Sequence, residues 1–144
     1  MSHTQNREIA RRFIQEVCNE GKLDQIEKCV TPDIIWHGME EIKGVEDFRR
    51  SILDDKNSFP DMQFTIVDEF ADQSKVAIRW TVKATHEGDF MGLPASDKKF
   101  ETCGTDIYHF ESGKIKEGWT VFDALTPALE LGVVEVVQPA QSKK

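Results

Sequence analysis

The hydrophobic periodicity of the chain changes near residue 62, and this change constrains the fold more than any other feature. Before it, apolar residues recur every three to four positions, which is the spacing of amphipathic helices. After it, apolar and polar residues alternate over long stretches, as expected for strands with one buried face. Helices followed by long antiparallel strands predict an α+β fold in which the helices cover one face of a curved sheet.

The predicted elements can be given in chain order. Apolar stripes predict helices over Thr4–Asn19, Asp24–Val30 and Gly44 to about Lys56, with a brief strand over Asp33–His37. Alternating residues predict strands over Met62–Asp68, Lys75 to about Glu87, Phe100–Phe110 and Ile115–Asp123. Thr126-Pro127 has the form of a helix start, so a short helix is expected from Pro127 to Leu131.

The composition limits the partners that this chain can have. Its 144 residues are expected to form a single domain over 1–137, followed by a disordered polar tail over 138–144. There are 18 Lys and Arg residues against 26 Asp and Glu residues, which gives a net charge of −8. This balance argues against nucleic acid and against anionic membrane surfaces, since both attract basic proteins. It favours a small neutral or weakly charged ligand, or a protein partner.

Targeting, metal and cofactor motifs are missing from the sequence. The first residues lack the apolar core of a signal peptide, and no run approaches the ~18 apolar residues that cross a bilayer, so a cytoplasmic protein is predicted. The three cysteines, Cys18, Cys29 and Cys103, have no metal-ligand spacing and are expected to be reduced thiols. Neither a metal motif nor a glycine-rich phosphate loop is present, so no metal and no cofactor are predicted.

Asp123 is the first candidate for acid and base chemistry. It ends the last predicted strand in register with Ile115, Glu117, Trp119 and Val121. Three of these four are large and apolar, which predicts that the side chain of Asp123 lies on the covered face of the sheet. A carboxyl group there loses water, and its pKa is expected to rise toward the range of a useful acid or base. The alternative is that Asp123 caps the helix that follows it.

His86 is the second candidate. It lies on the same predicted strand face as Trp80, Val82 and Ala84, and it precedes a loop that is able to fold over a pocket mouth. An imidazole titrates near pH 6.5 and can exchange a proton with a ligand oxygen. A lone histidine on a strand is more often structural, so the interpretation depends on whether His86 lies close to Asp123.

Two motifs give the chain a family resemblance. The stretch Thr85-His86-Glu87-Gly88-Asp89-Phe90-Met91-Gly92-Leu93-Pro94-Ala95 matches the pattern H-x-G-x-F-x-G-x-P-A of the SnoaL-like polyketide cyclases. The stretch Gly113-Lys114-Ile115-Lys116-Glu117-Gly118-Trp119, followed by Asp123, resembles the signature G-K-I-x-E-x-W-x-x-x-D of the same family. The resemblance implies a nuclear transport factor 2-like cone, which is a strongly curved mixed sheet wrapped by about three N-terminal helices and often paired as a homodimer.

The resemblance also implies an activity. The cyclases of this family close a ring by an intramolecular aldol reaction without a cofactor, which implies Asp123 as the general acid and base and His86 as a pocket residue. The substrate is then expected to be a small carbonyl compound, apolar or ring-bearing. The side chains expected to line its pocket are Phe13, Trp36, His37, Trp80, Phe90, Met91, Leu93 and Trp119.

Two alternatives to a cyclase remain open at this point. One is a domain of the same fold that binds a small ligand or a protein without catalysis, and the other is a dehydratase or an isomerase-type lyase. An open cavity lined by both Asp123 and His86 favours catalysis. A homodimer is expected through the sheet face that carries Ala77, Arg79, Thr81, Thr85, Thr105 and Ile107.

Overall fold

The computed structural model describes residues 3–90 and 92–139. Its α-helices are α1 (His3–Arg12), α2 (Ile26–Cys29), α3 (Val45–Ser58) and α4 (Leu125–Leu131). Helix α1 continues directly into a π-helical segment over Phe13–Asn19, and a 3-10 turn over Leu23–Gln25 precedes α2. Within the described ranges, none of the helices has the length and apolar character that a bilayer crossing requires.

The strands form one mixed sheet. They are β1 (Val30–His37), β2 (Glu41–Lys43), β3 (Gln63–Ala71), β4 (Lys75–Thr85), β5 (Lys99–Glu111) and β6 (Lys114–Phe122). Their order across the sheet is β2-β1-β6-β5-β4-β3; β1 and β6 are parallel, and the other four neighbouring pairs of these strands are antiparallel. The α+β prediction is confirmed. The short strand β2 was not predicted, because three residues are too few to show an alternating pattern.

The core lies between the helices and the inner face of the sheet. Phe13 from the π-helical segment, Trp36 from β1, Phe48 from α3 and Tyr108 from β5 pack together, with ring centroids 5.4 to 6.2 Å apart. Aromatic pairs at this spacing are stabilised beyond the burial of their surface. These rings therefore hold the helices against the sheet.

Two glycines allow indole rings to lie against the inner sheet surface. A Cβ atom at Gly104 of β5 would lie 2.6 Å from atoms of Trp80 and of Phe122. A Cβ atom at Gly118 of β6 would overlap the ring of Trp36. Since packed cores leave no room at such distances, each glycine is the reason that a tryptophan can occupy the space above it.

Replacing Gly104 by Ala is expected to lower the free energy of unfolding by about 1 to 3 kcal/mol, because the added methyl group overpacks the core against Trp80. Urea denaturation of both proteins measures this change. The matched control is Cys103→Ala, one residue earlier on the same strand, where the side chain is exposed and a change within about 0.5 kcal/mol is expected. Equal effects at the two positions would contradict the packing argument.

A bulge inverts the alternation of β6 and corrects one prediction. His109 pairs with Glu117 and Phe110 pairs with Ile115, so Lys116 is an extra residue in β6. Ile115 is fully buried, but beyond the bulge the inner positions are taken by Gly118, Thr120 and Phe122. The prediction that Ile115, Trp119, Val121 and Asp123 share one covered face is wrong, and the side chain of Val121 is 76% exposed.

Candidate functional site

A buried carboxyl group lies at the centre of the inner sheet surface. Asp106 of β5 is 4% exposed, and its neighbours across the strands are Ile78 of β4 and Thr120 of β6. Ile78 is fully buried in the main core. The alternation of β5 predicts an apolar residue at this position, so Asp106 departs from the pattern of the strand.

Hydrogen-bond donors surround the carboxyl group of Asp106. The indole Nε1 of Trp80 donates to Oδ1 at 3.0 Å, and the hydroxyl of Tyr108 donates to Oδ2 at 2.6 Å. Thr120 lies directly opposite on β6, and its side chain lowers the pKa of the carboxyl group as a hydrogen-bond partner. Trp80 and Tyr108 are themselves buried. Each oxygen of Asp106 therefore has a partner, as a buried carboxyl group requires.

Burial dominates the electrostatics of this group. It raises the pKa of Asp106 above its usual value, although the hydrogen bonds from Thr120, Tyr108 and Trp80 act in the opposite direction. No Lys or Arg within residues 3–90 and 92–139 forms an ion pair with Asp106. Burial, followed by the charge of Asp106, also raises the pKa of Tyr108 well above its usual value. The site is thus a carboxyl group held by neutral donors.

The inner surface around Asp106 is only partly covered. Side chains that belong to this surface and keep partial exposure come from four different elements: Cys18, Trp36, Phe64, Thr120 and Phe122. The ring centroid of Trp80 lies 4.9 Å from that of Phe64 and 6.2 Å from that of Phe122. Flat apolar side chains beside a few polar groups are typical of small-molecule sites. A molecule resting on these rings would lie next to Thr120 and the Asp106 network.

Asp123 does not lie on this inner surface, so the expectation of a covered position is wrong. Its side chain is exposed, Oδ1 accepts the backbone N–H of Thr126 at 3.0 Å, and Oδ2 accepts the Thr126 hydroxyl at 2.5 Å. These bonds lower the pKa of Asp123, whereas a raised pKa was expected. The geometry is that of a residue that caps the first turn of α4. The physical reason is the bulge at Lys116, which reverses the parity of the strand end.

His86 is buried, but in a different part of the molecule. Its ring nitrogen Nδ1 lies 2.9 Å from Oγ of Ser96, and its ring packs with Phe59 and Phe90 at centroid distances of 6.0 and 6.3 Å. Its backbone N–H donates to Lys98, beyond the end of β4. These aromatic residues belong to a second, smaller apolar cluster centred on Phe59, Ala84 and Leu131.

The structure does not bring His86 and Asp123 together. The backbone N–H of Asp123 donates to Cys103, which pairs with Thr81 of β4. His86 lies five residues beyond Thr81 along the chain, which is roughly 17 Å at the rise of an extended strand. The expected exchange of protons between these two residues therefore has no geometric basis.

The other predicted pocket residues fall into three groups. Phe13, Trp36 and Trp80 lie on the inner surface near Asp106, while Phe90 and Leu93 pair with each other in the loop beside His86. His37 and Trp119 lie on the outer face of the sheet, where their rings stack at 5.1 Å and His37 Nε2 lies 2.6 Å from Oε2 of Glu117. Met91 lies outside the described residues.

Sequence reasoning missed the polar residues of the inner surface, namely Asp106, Tyr108 and Thr120. Asp106 carries a usable signal, since it is a charged residue at the buried parity of a predicted strand. Thr120 carries none, because its position on the inner face depends on the bulge at Lys116. Within the part of the chain that the structure describes, no group of three or more His, Cys, Asp and Glu side chains is arranged to hold a metal ion.

Comparison with solved structures shows extensive similarity. AclR from Streptomyces galilaeus, a candidate hydroxylase, is 26% identical with a TM-score of 0.83, and the match covers 95% of this chain and 87% of that one. IdmH from Streptomyces antibioticus, a candidate polyketide cyclase, is 27% identical with a TM-score of 0.76, covering 89% and 99%. A candidate SnoaL-like cyclase from Jannaschia sp. CCS1 has a TM-score of 0.85 at 18% identity, covering 92% and 95%, which shows the shared fold.

The family model of the SnoaL-like polyketide cyclases matches residues 8–131 of this chain. No curated protein matches its sequence. The matched range includes β1 to β6, the buried carboxyl group and the cap of α4. The resemblance noted from the two sequence motifs is confirmed over most of the length of the chain. The six-stranded mixed sheet and its helices are those of a nuclear transport factor 2-like fold, and the chain belongs to the SnoaL-like polyketide cyclase family.

Proposed function

We propose that this protein is an enzyme that moves protons at carbonyl compounds without a cofactor, and that Asp106 is the group that takes up and returns the proton. The observation that carries this proposal is a carboxyl group that is 4% exposed, held by neutral donors. A carboxyl group in such surroundings changes its protonation state more readily at neutral pH than an exposed one. Members of the family bind small-molecule substrates.

The reaction that fits this site is an aldol-type ring closure. The ionised Asp106 removes a proton from the carbon next to a carbonyl group, and the electrons of that C–H bond form an enolate. The enolate carbon attacks a second carbonyl group of the same molecule, and a new C–C bond forms while the C=O electrons move to oxygen. The protonated Asp106 then returns its proton to this alkoxide. One carboxyl group serves as base and as acid in turn.

The donors around Asp106 have a positioning role in this reaction. Trp80 and Tyr108 are buried, and each holds one oxygen of the carboxyl group. A group fixed in this way needs little reorganisation when it accepts a proton. The test is the formation of ring products from small molecules that carry two carbonyl groups, compared between the wild-type protein and Asp106→Asn. Equal rates would overturn the proposal.

We further propose that the outer face of the sheet pairs with a second copy of the chain. Phe70, Ala77, Ile107 and Trp119 lie opposite one another across β3, β4, β5 and β6, so they form one continuous row. Phe70 is 70% and Ile107 41% exposed, and Val121 stands beside them. Contiguous exposed apolar side chains favour an interface, and one sheet face can pair with itself about a two-fold axis.

Ile107→Lys is expected to produce a monomer, because the charge would be buried without a partner at the centre of the row. Sedimentation at micromolar concentration measures the mass, which is 16.5 kDa for one chain. The control is Leu53→Lys, which places the same charge at an exposed apolar position on α3 and is expected to leave the dimer intact. A wild-type protein that sediments only as a monomer would contradict this proposal.

A further inference from the structure

Thr120 differs from the other partners of Asp106 in its exposure. Trp80 is 5% exposed and Tyr108 is fully buried, whereas Thr120 is only partly covered. Thr120 lies directly opposite Asp106 in the register of β5 and β6, and its side chain lowers the pKa of the carboxyl group as a hydrogen-bond partner. Of the three partners, Thr120 alone combines contact with Asp106 and access from the inner surface. It therefore stands where a bound molecule would meet the network.

The hydrogen-bonding capacities of the three partners also favour Thr120 as the group that meets a bound molecule. The indole N–H of Trp80 can only donate, so it cannot receive a proton from Asp106. The Tyr108 hydroxyl can donate and accept, but it is fully buried, so it cannot exchange a proton with a bound molecule. The Thr120 hydroxyl donates one hydrogen bond and accepts up to two. It is thus able to give its proton to the ionised Asp106 while it takes another proton from outside.

The surroundings of Thr120 fix the direction of its side chain. A Cβ atom built on Gly38 would lie 3.1 Å from the methyl carbon Cγ2 of Thr120 and 3.5 Å from Nε1 of Trp36. The methyl group of Thr120 therefore points toward the backbone of Gly38 and the edge of the Trp36 ring. The hydroxyl is the part of the side chain that can act as the hydrogen-bond partner of Asp106 on the neighbouring strand.

We propose that the Thr120 hydroxyl carries the proton between Asp106 and a bound carbonyl compound; this inference rests on the proposed function of Asp106. In the first step the C–H bond of the substrate breaks and its proton moves to Oγ1, while the original hydroxyl proton of Thr120 moves to the Asp106 carboxylate. The electrons of the C–H bond remain on the substrate as an enolate. In the last step both protons move back, and the alkoxide receives the proton that Thr120 releases.

Proton removal from 5-nitrobenzisoxazole tests this relay without the natural substrate. A base removes the proton on C3 of this probe, the N–O bond breaks, and the coloured product is 2-cyano-4-nitrophenolate. Thr120→Val keeps the shape of the side chain and removes the hydroxyl. It is expected to lower the Asp106-dependent rate, which is the part of the rate that Asp106→Asn removes, at least about tenfold, which corresponds to about 1.4 kcal/mol. Thr120→Ser keeps the hydroxyl and is expected to stay within about threefold of wild type.

The outcomes separate the relay from the proposed function. Asp106→Asn is measured beside the two Thr120 variants, and thermal unfolding verifies that all of them fold. If Asp106→Asn loses the rate and Thr120→Val keeps it, Asp106 acts directly and the relay is overturned. If Asp106→Asn reacts at the wild-type rate, or if neither protein turns over the probe, the result counts against the proposed function itself.

A second measurement does not depend on turnover. The ¹³C resonance of the Asp106 carboxyl group is titrated in the wild type and in the Thr120 variants. Loss of the Thr120 donor disfavours the charged form, so the midpoint is expected to move to higher pH in Thr120→Val and to return in Thr120→Ser. An unchanged midpoint in Thr120→Val would show that the hydroxyl does not bind Asp106, and it would overturn the inference.

Discussion

Replacing Asp106 by Asn is expected to lower kcat/KM for ring closure about 10²- to 10⁴-fold, which is the usual contribution of a positioned general acid and base. Asn is nearly equal to Asp in size, and its carbonyl oxygen can still accept one of the two bonds from Trp80 and Tyr108. Its amide cannot take up a proton near neutral pH. The variant therefore tests the proton chemistry with little change in shape.

The matched control for this variant is Asp123→Asn. Asp123 follows the end of β6, the strand next to that of Asp106, and carries the same side chain, but it is exposed and bonds to Thr126. We expect kcat/KM to stay within about tenfold of wild type, and the free energy of unfolding to fall by no more than about 1 kcal/mol through weakened capping. The reverse pattern, with the large loss at Asp123, would restore the role that the family resemblance implies for that residue.

The same Asp106→Asn variant is expected to change the pH dependence of stability. Folding raises the pKa of Asp106 above its ordinary value of 3.8, so the folded state binds the proton more tightly than the unfolded state does. Between 3.8 and the folded pKa, the free energy of unfolding therefore falls as the pH rises. The fall amounts to about 1.4 kcal/mol for each unit by which the pKa is raised. Below pH 3.8 this penalty is absent.

The measurement is urea denaturation of wild type and variant between pH 3 and pH 8. Other carboxyl groups titrate in the same range, and taking the difference between the two proteins cancels them. The variant is expected to gain stability relative to wild type as the pH rises through the window above 3.8. A difference that stays constant with pH would mean that the folded state does not shift the pKa of Asp106.

The fold was predictable because its signals are local and repeated. Apolar residues spaced three or four positions apart predicted α1 and α3. Alternation of apolar and polar residues predicted the long strands β3 to β6 within a few residues of their observed ends. The two motifs around His86 and Trp119 identified the family, which the match over residues 8–131 confirms. Each of these signals depends on residues close together in the chain.

The candidate site was less predictable because it depends on contacts between distant strands. The single extra residue Lys116 moves Thr120 to the inside and Asp123 to the outside, and no local pattern marks it. Besides Tyr108 of its own strand, Asp106 has partners from β4 and β6, so its full environment exists only after the sheet has formed. His86 was expected to lie close to Asp123, but about five residues of extended strand separate the two.

The glycines beneath the indole rings limit how the proposed binding surface can evolve. Glycine has the smallest side chain, so any substitution at Gly104 or Gly118 would reduce the room left for a ligand. Additional room has to come from the rings above them, Trp36 and Trp80, whose replacement by smaller residues would open space above the two glycines. Trp80 also donates a hydrogen bond to Asp106, the proposed acid and base, whereas no such bond is found for Trp36 among the described residues. Homologues that bind bulkier ligands are therefore expected to differ at Trp36 rather than at Trp80.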